Sequence, residues 1–161
     1  CPHSKPYNQM VNQPNNETLK FRIGLSGTFW DNRPKFSVLI NDTKIASGVI
    51  EGDSDVVQYI EFNHDIFNGT TNQLKIRLEN KLLGDTVENA DKTEIVKDML
   101  LNIVSIEIDE ISLGYMLWTE SKYIADDPER EPVTHCINLG WNGTYSLEFT
   151  SPYYLWLLER M

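Results

Sequence analysis

Apolar residues recur at every second position in short runs along this chain, the period of strands buried on one face only. In LKFRIGL (19–25), Leu19, Phe21, Ile23 and Leu25 share one side. FSVLI (36–40) repeats the pattern with Phe36, Val38 and Ile40, and Asn41-Asp42 supplies a hairpin turn into a return strand, KIASGVI (44–50). After the break EGDSD, VVQYIEF (56–62) resumes the sheet and HDIFNGTTN turns again. QLKIRLEN (73–80) alternates cleanly, with Leu74, Ile76 and Leu78 against Lys75, Arg77 and Glu79. MLLNIVSIEID (99–109) slips: Met99, Leu101 and Ile103 share one parity, Val104, Ile106 and Ile108 the other. Either a bulge near Ile103 shifts the phase or the first half is buried on both faces. EISLG (110–114) reads as a turn and short strand, 115–140 as irregular, and YSLEF (145–149) as the last clear strand. Short strands about ten residues apart, separated by turn residues, predict an all-β antiparallel sandwich of jelly-roll type.

Residues 1–18, CPHSKPYNQMVNQPNNET, have no period and are rich in Asn, Pro and Gln. They read as an extended N-terminal arm before one sandwich domain over 19–161. The tail SPYYLWLLERM is too apolar for a free surface segment, so Tyr153, Tyr154, Leu155 and Trp156 are expected in a core or an oligomer contact.

A chain of 161 residues with 40% apolar content and four tryptophans suits one folded domain. The formal charge of -10, from 24 acidic against 14 basic residues, disfavours nucleic acid and anionic membrane and leaves cations and neutral partners. No apolar run approaches the roughly 20 residues that span a bilayer. Cys1 and Cys136 lack CxxC spacing and make no disulfide framework, leaving one bridge or two free thiols. A chain starting at Cys1 fits a lipidated terminus or a truncation, and without a lipid no membrane contact is expected.

Catalytic patterns are missing from the sequence. His3, His64 and His135 are scattered, and Cys136 merely adjoins His135. Neither Ser26 nor Ser121 sits in a GxSxG elbow, and no glycine loop for phosphate exists. Binding without catalysis is the expectation. The Asn-x-Thr triplets at Asn41, Asn68 and Asn142 coincide with turn dipeptides, which explains them without glycosylation.

One stretch invites a ligand. Asp85, Glu88, Asn89, Asp91, Glu94 and Asp98 crowd the segment before the longest apolar run. Calcium takes six to eight oxygen ligands, and a loop of this kind can supply them, although EF-hand spacing is absent. The alternative is a solvated hairpin loop. Asp98 adjoins MLL, where a carboxylate needs a partner: a cation, Arg77 or Arg33, since Lys97 points to the other face.

The order LKIRLEN, acidic loop, VKDMLLNIVSIEIDEISLG resembles the C-terminal half of calcium-dependent, xylan-binding carbohydrate-binding modules, whose strand has the form D-x-x-L-x-V-x-x-I-x-V-x-G. The resemblance covers 19–113 in strand order and is specific over 74–113. It implies a calcium ion at the end of a sandwich that engages two sugar hydroxyls. Asp98 would be the first ligand, with Asp85 and Glu88 behind it; Asn89 and Asp91 are metal candidates from the acidic loop itself. Lys97-Asp98-Met99 stands where those modules carry Asp-Arg-Asn. Trp30, Trp118, Tyr123 and Trp141 are the candidate sugar-stacking faces, although for any one of them a half-buried packing role is the commoner reading.

A second resemblance, in WTESKYIADD and SPYYLWLLE, is to virion proteins of tailed phages, cyanophage-like in texture. It implies a structural or decoration subunit in which the arm and the aromatic tail mediate self-association or contact other virion proteins. Both resemblances imply an extracellular or virion setting.

Overall fold

β1 (Asn16–Thr28) sends Leu19, Phe21, Ile23 and Leu25 into the interior, and all four are fully buried. That stripe makes it the spine of the first sheet. In the computed structural model, which describes residues 16–161, β1 pairs antiparallel with β4 (Gln58–Phe67) on one side and β8 (Leu100–Ile108) on the other. β12 (Asn138–Leu139) extends the sheet beyond β8, and β9 (Ile111–Ser112) folds back on the end of β8. The second sheet runs in the order β11 (Val133–Thr134), β10 (Ser121–Ala125), β13 (Gly143–Thr150), β5 (Thr71–Leu78), β2 (Lys35–Ile40), β3 (Thr43–Val49), again antiparallel. A small hairpin, β6 (Val87–Glu88) with β7 (Ile95–Lys97), stands apart. The fold is an all-β antiparallel sandwich.

The inner faces meet in a continuous core. Phe21 stacks on Phe62 with ring centroids 4.9 Å apart and meets Phe149 of the opposite sheet at 6.3 Å. Leu74, Ile76, Leu78, Tyr145 and Leu147 complete the second wall with no exposure. Each such side chain contributes about 1.5–3 kcal/mol on burial.

The phase slip in β8 is a bulge. Gly24 faces Ser105, but Leu25 faces Ile103, so Val104 has no partner across the strand. The extra residue lets Leu101, Ile103, Ile106 and Ile108 all point inward and turns Val104 out to 45% exposure.

Several boundaries differ from those the pattern predicts. β1 takes in Asn16–Thr18, which were expected in the arm, and the Glu17 carboxylate accepts hydrogen bonds from the Tyr153 amide (2.8 Å) and the Ser151 hydroxyl; residues 1–15 of the expected arm lie outside the described residues. β4 continues through His64 to Phe67, with Ile66 buried, where a turn was expected. β10 was not foreseen: its inward residues are Ser121, Tyr123 and Ala125, while its obvious hydrophobe, Ile124, faces out. The tail forms a short helix over Tyr153–Leu158, preceded in the chain by another, α1 (Met116–Thr119), so the tail helix is α2. Tyr153 and Trp156 pack on Phe149, whereas Tyr154 and Leu155 are 63% and 54% exposed, outside the core. Cys136 is half-buried and its thiol donates to the Asn138 carbonyl. The bridge to Cys1 lies outside the described residues.

Candidate functional site

After Leu78 the chain leaves the second sheet and reaches the first only at Leu100. Lys81 fastens the start of this excursion. Its backbone N–H donates to Asn142 Oδ1 (2.7 Å), and its carbonyl accepts from Asn142 Nδ2 (3.1 Å). Its ammonium donates to Asp98 Oδ1 and to the Met99 carbonyl, both at 2.6 Å. Asp98 Oδ1 also accepts from Thr86 Oγ1 (2.7 Å) and the Met99 amide (2.8 Å). Burial alone would raise the Asp98 carboxyl, but these hydrogen bonds and the Lys81 charge outweigh it and hold the group below its ordinary range.

The other loop residues are placed separately. Asp85 is buried and turned back on its own chain: its carboxylate accepts from the Leu82 amide (2.8 Å) and Asn32 Nδ2 (3.3 Å), closing a 3₁₀ turn over Leu83–Asp85. Asn89 caps the β6–β7 turn, its Oδ1 accepting from the Thr93 amide at 2.9 Å and its Nδ2 donating to Thr93 Oγ1 at 3.0 Å. Glu88 and Asp91 are exposed. The two inward carboxylates are thus taken up by protein donors and the remainder stand in solvent. Among the described residues no three or more acidic, histidine or cysteine side chains come together in a group able to hold a metal. The donor set does not fit calcium, and the cation that Asp98 requires is the ammonium of Lys81. The two arginines considered for that role are engaged elsewhere: Arg77 forks onto Asp126, and Arg33 donates to the carbonyls of Ile50, Glu51 and Gly52.

The four aromatic candidates also separate. Tyr123 is fully buried, its ring stacked on Trp141 at 4.9 Å and its hydroxyl bonded to the Trp141 backbone, so it belongs to the core and presents no face to a ligand. Burial pushes its phenol well above the ordinary tyrosine range. Trp141 has that ring contact and the Arg130 guanidinium 4.6 Å from its ring centre. Trp30 is 44% exposed, but its Nε1 donates to the Asp85 carbonyl (2.9 Å) and the Lys97 ammonium sits 4.8 Å over its ring. These two tryptophans brace loops.

Trp118 is different. It lies on α1, one turn after Tyr115, and residues three apart share a helix face. Trp118 is 43% exposed and Tyr115 is 86% exposed. Together with Val104, Ser105, Ser112 and Leu117 they line an open groove of about 540 Å³. No carboxylate or cation lines it. The β8 bulge contributes directly, since the outward turn of Val104 supplies part of the floor. Below, the carbonyl of buried Leu117 accepts from the Ser121 hydroxyl (2.8 Å) and from the Tyr145 hydroxyl, which anchors α1 to the second sheet. His135 meets Trp118 edge-on at 4.4 Å and limits its rotation. Trp118 was among the sequence candidates, whereas Tyr115 was overlooked. Its signal was the Gly114-Tyr115 turn placed three residues before a tryptophan.

No protein-family model and no curated protein matches this chain. Among solved structures, vCBM60 in complex with galactobiose is similar with a TM-score of 0.50 at 10% identity, over 80% of this chain and 96% of that one. The selenomethionine form of vCBM60, described as linking two families of calcium-dependent carbohydrate binding modules by circular permutation, gives 0.49 at 10% identity, over 80% of this chain and 89% of that one. At this identity the likeness is one of fold, the antiparallel β-sandwich.

Proposed function

We propose that this domain is a non-catalytic glycan-binding module and that the groove between Tyr115 and Trp118 is its site. The observation that carries the reading is the pairing of two exposed aromatic rings over an uncharged groove with serine hydroxyls beside them. Aromatic faces suit the C–H faces of pyranose rings, and Ser105 and Ser112 offer hydrogen bonds to sugar hydroxyls. The groove falls in the size range of small-ligand sites. An uncharged lining selects a neutral saccharide, and galactobiose, the ligand held by the similar fold, is the first to test. No metal is called for, because Lys81 already neutralises Asp98.

A glycan array followed by calorimetry tests the reading. Tyr115→Ala and Trp118→Ala should each weaken binding roughly tenfold, about 1.4 kcal/mol, with the fold intact by circular dichroism. Binding should be the same in calcium and in chelator. Full affinity in the doubly substituted protein would remove the groove, and loss of binding in chelator would restore the metal.

A second reading, assembly into a larger particle, is favoured by α2. Tyr154, Leu155 and Leu158 leave the core on its outer side, with Leu158 50% exposed.

A further inference from the structure

The outer face of the second sheet carries a groove of about 620 Å³ that the Tyr115–Trp118 reading does not use. Strand register sets its floor. Leu39, Lys75, Ser146 and Lys122 form one row across four neighbouring strands, and Arg77, Thr144 and Ile124 form the next. Neighbours in such a row stand about 5 Å apart at Cβ, so Lys75 and Lys122 flank Ser146 from both sides.

The charges here are unequally committed. Lys75 contacts Asp42 at 3.3 Å, but its own side chain is only 23% exposed while Asp42 stands fully in solvent. A contact to so exposed a carboxylate is screened and readily exchanged. Lys122 has no ion pair among the described residues. Arg77 is fixed, with Asp126 at 3.0 and 2.8 Å and Thr144 Oγ1 at 2.6 Å, and this pairing keeps its guanidinium charged. Glu120, at the groove's end, is drawn to Arg160 at 3.5 Å. Glu148 is then the one lining carboxylate outside an ion pair among the described residues, against two lysines available to a ligand. On a chain of formal charge -10, the groove sets three basic side chains, Lys75, Arg77 and Lys122, against two acidic ones.

We propose that this groove binds a short acidic oligosaccharide, with a uronate carboxylate seated over Ser146 between Lys75 and Lys122. Gln73, Thr144 and Ser146 provide hydrogen bonds for its hydroxyls, and Leu39 and Ile124 contact ring carbons. The volume suits about two or three sugar residues. A long polyanion is excluded by the net charge of the molecule, which repels it everywhere outside the groove. The proposal is independent of the aromatic groove on the other sheet.

The test is a titration of the whole chain with trigalacturonate, followed by NMR and calorimetry beside a neutral galactose trisaccharide. Trigalacturonate should shift resonances on β5, β10 and β13. Lys75→Ala and Lys122→Ala should each weaken it about tenfold, and Lys122→Arg should restore most of the affinity. Trp118→Ala should leave trigalacturonate binding unchanged while weakening that of the neutral glycan about tenfold, so the two sites fail separately. No shift at millimolar trigalacturonate, unchanged affinity in Lys122→Ala, or equal binding of an acidic peptide of the same charge would each overturn the proposal.

Discussion

Lys81 shows how one side chain can settle the character of a whole loop. Its side chain is 9% exposed and that of Asp98 is 20% exposed, so the pair is largely withdrawn from water. Removing one member of a buried pair leaves an uncompensated charge, which costs about 3–5 kcal/mol. Lys81→Met should therefore lower stability by about 3 kcal/mol in urea denaturation, and the double change Lys81→Met with Asp98→Leu should recover part of that loss. The pair also gives a pH signature. The folded-state pKa of Asp98 is depressed, so its contribution is present above the unfolded value and disappears as pH falls through the folded one. Thermal melts should show stability dropping below about pH 4, with a shallower drop in Asp98→Asn. That Asp98 needed a partner was legible in the sequence, from a carboxylate set against MLL. Which partner it has was not, because Lys81 lies 17 residues away across a loop whose path no local pattern dictates. Tyr123 misled for a related reason: a phenol with its hydroxyl satisfied inside the core looks, in sequence, the same as one held out to a ligand.

At the level of elements, strands were readable wherever bulky apolar residues faced inward. β1, β2, β5 and β13 alternate such residues, and the alternating middle of each was readable, though β1 and β13 run further at both ends. The bulge in β8 left a visible mark, two parities of apolar residues meeting at Ile103 and Val104. β10 left none, since its inward positions hold a serine, a tyrosine and an alanine. β10 approaches β13 closely at Gly143, which faces Ala125. A Cβ on Gly143 would lie 2.5 Å from the Ile124 carbonyl oxygen and 2.9 Å from the Ala125 Cα, backbone atoms that cannot swing aside. Gly143→Ala should cost about 1–3 kcal/mol, measured by chemical denaturation, and amide exchange should quicken first along β10. That strand supplies Lys122 to one groove and, through the Ser121 hydroxyl, anchors the helix that forms the other, so both grooves depend on this contact.

Seen whole, the molecule offers two chemically different grooves, one on each sheet. The first sheet carries an uncharged aromatic groove beside its bulge, and the second carries a groove framed by lysines and an arginine. The sequence conveyed the sandwich because alternation is a local property. The grooves depend on cross-strand rows and on a one-turn helix, which come together only in three dimensions. The apolar outer side of α2 adds a third surface. If the assembly reading holds, light scattering will give a mass above the monomer's 18.6 kDa at high concentration, and Leu155→Glu will return it to that value. A monomer at every concentration would remove the assembly reading.

The bond from the Tyr153 amide to the Glu17 carboxylate, at 2.8 Å, has a bearing on architecture. It joins the beginning of the first strand to the start of the last helix, and the Ser151 hydroxyl bonds the same carboxylate. Glu17 is thus a latch whose two halves come from stretches 136 residues apart, and without its carboxylate the last helix would lose that hold on the first sheet.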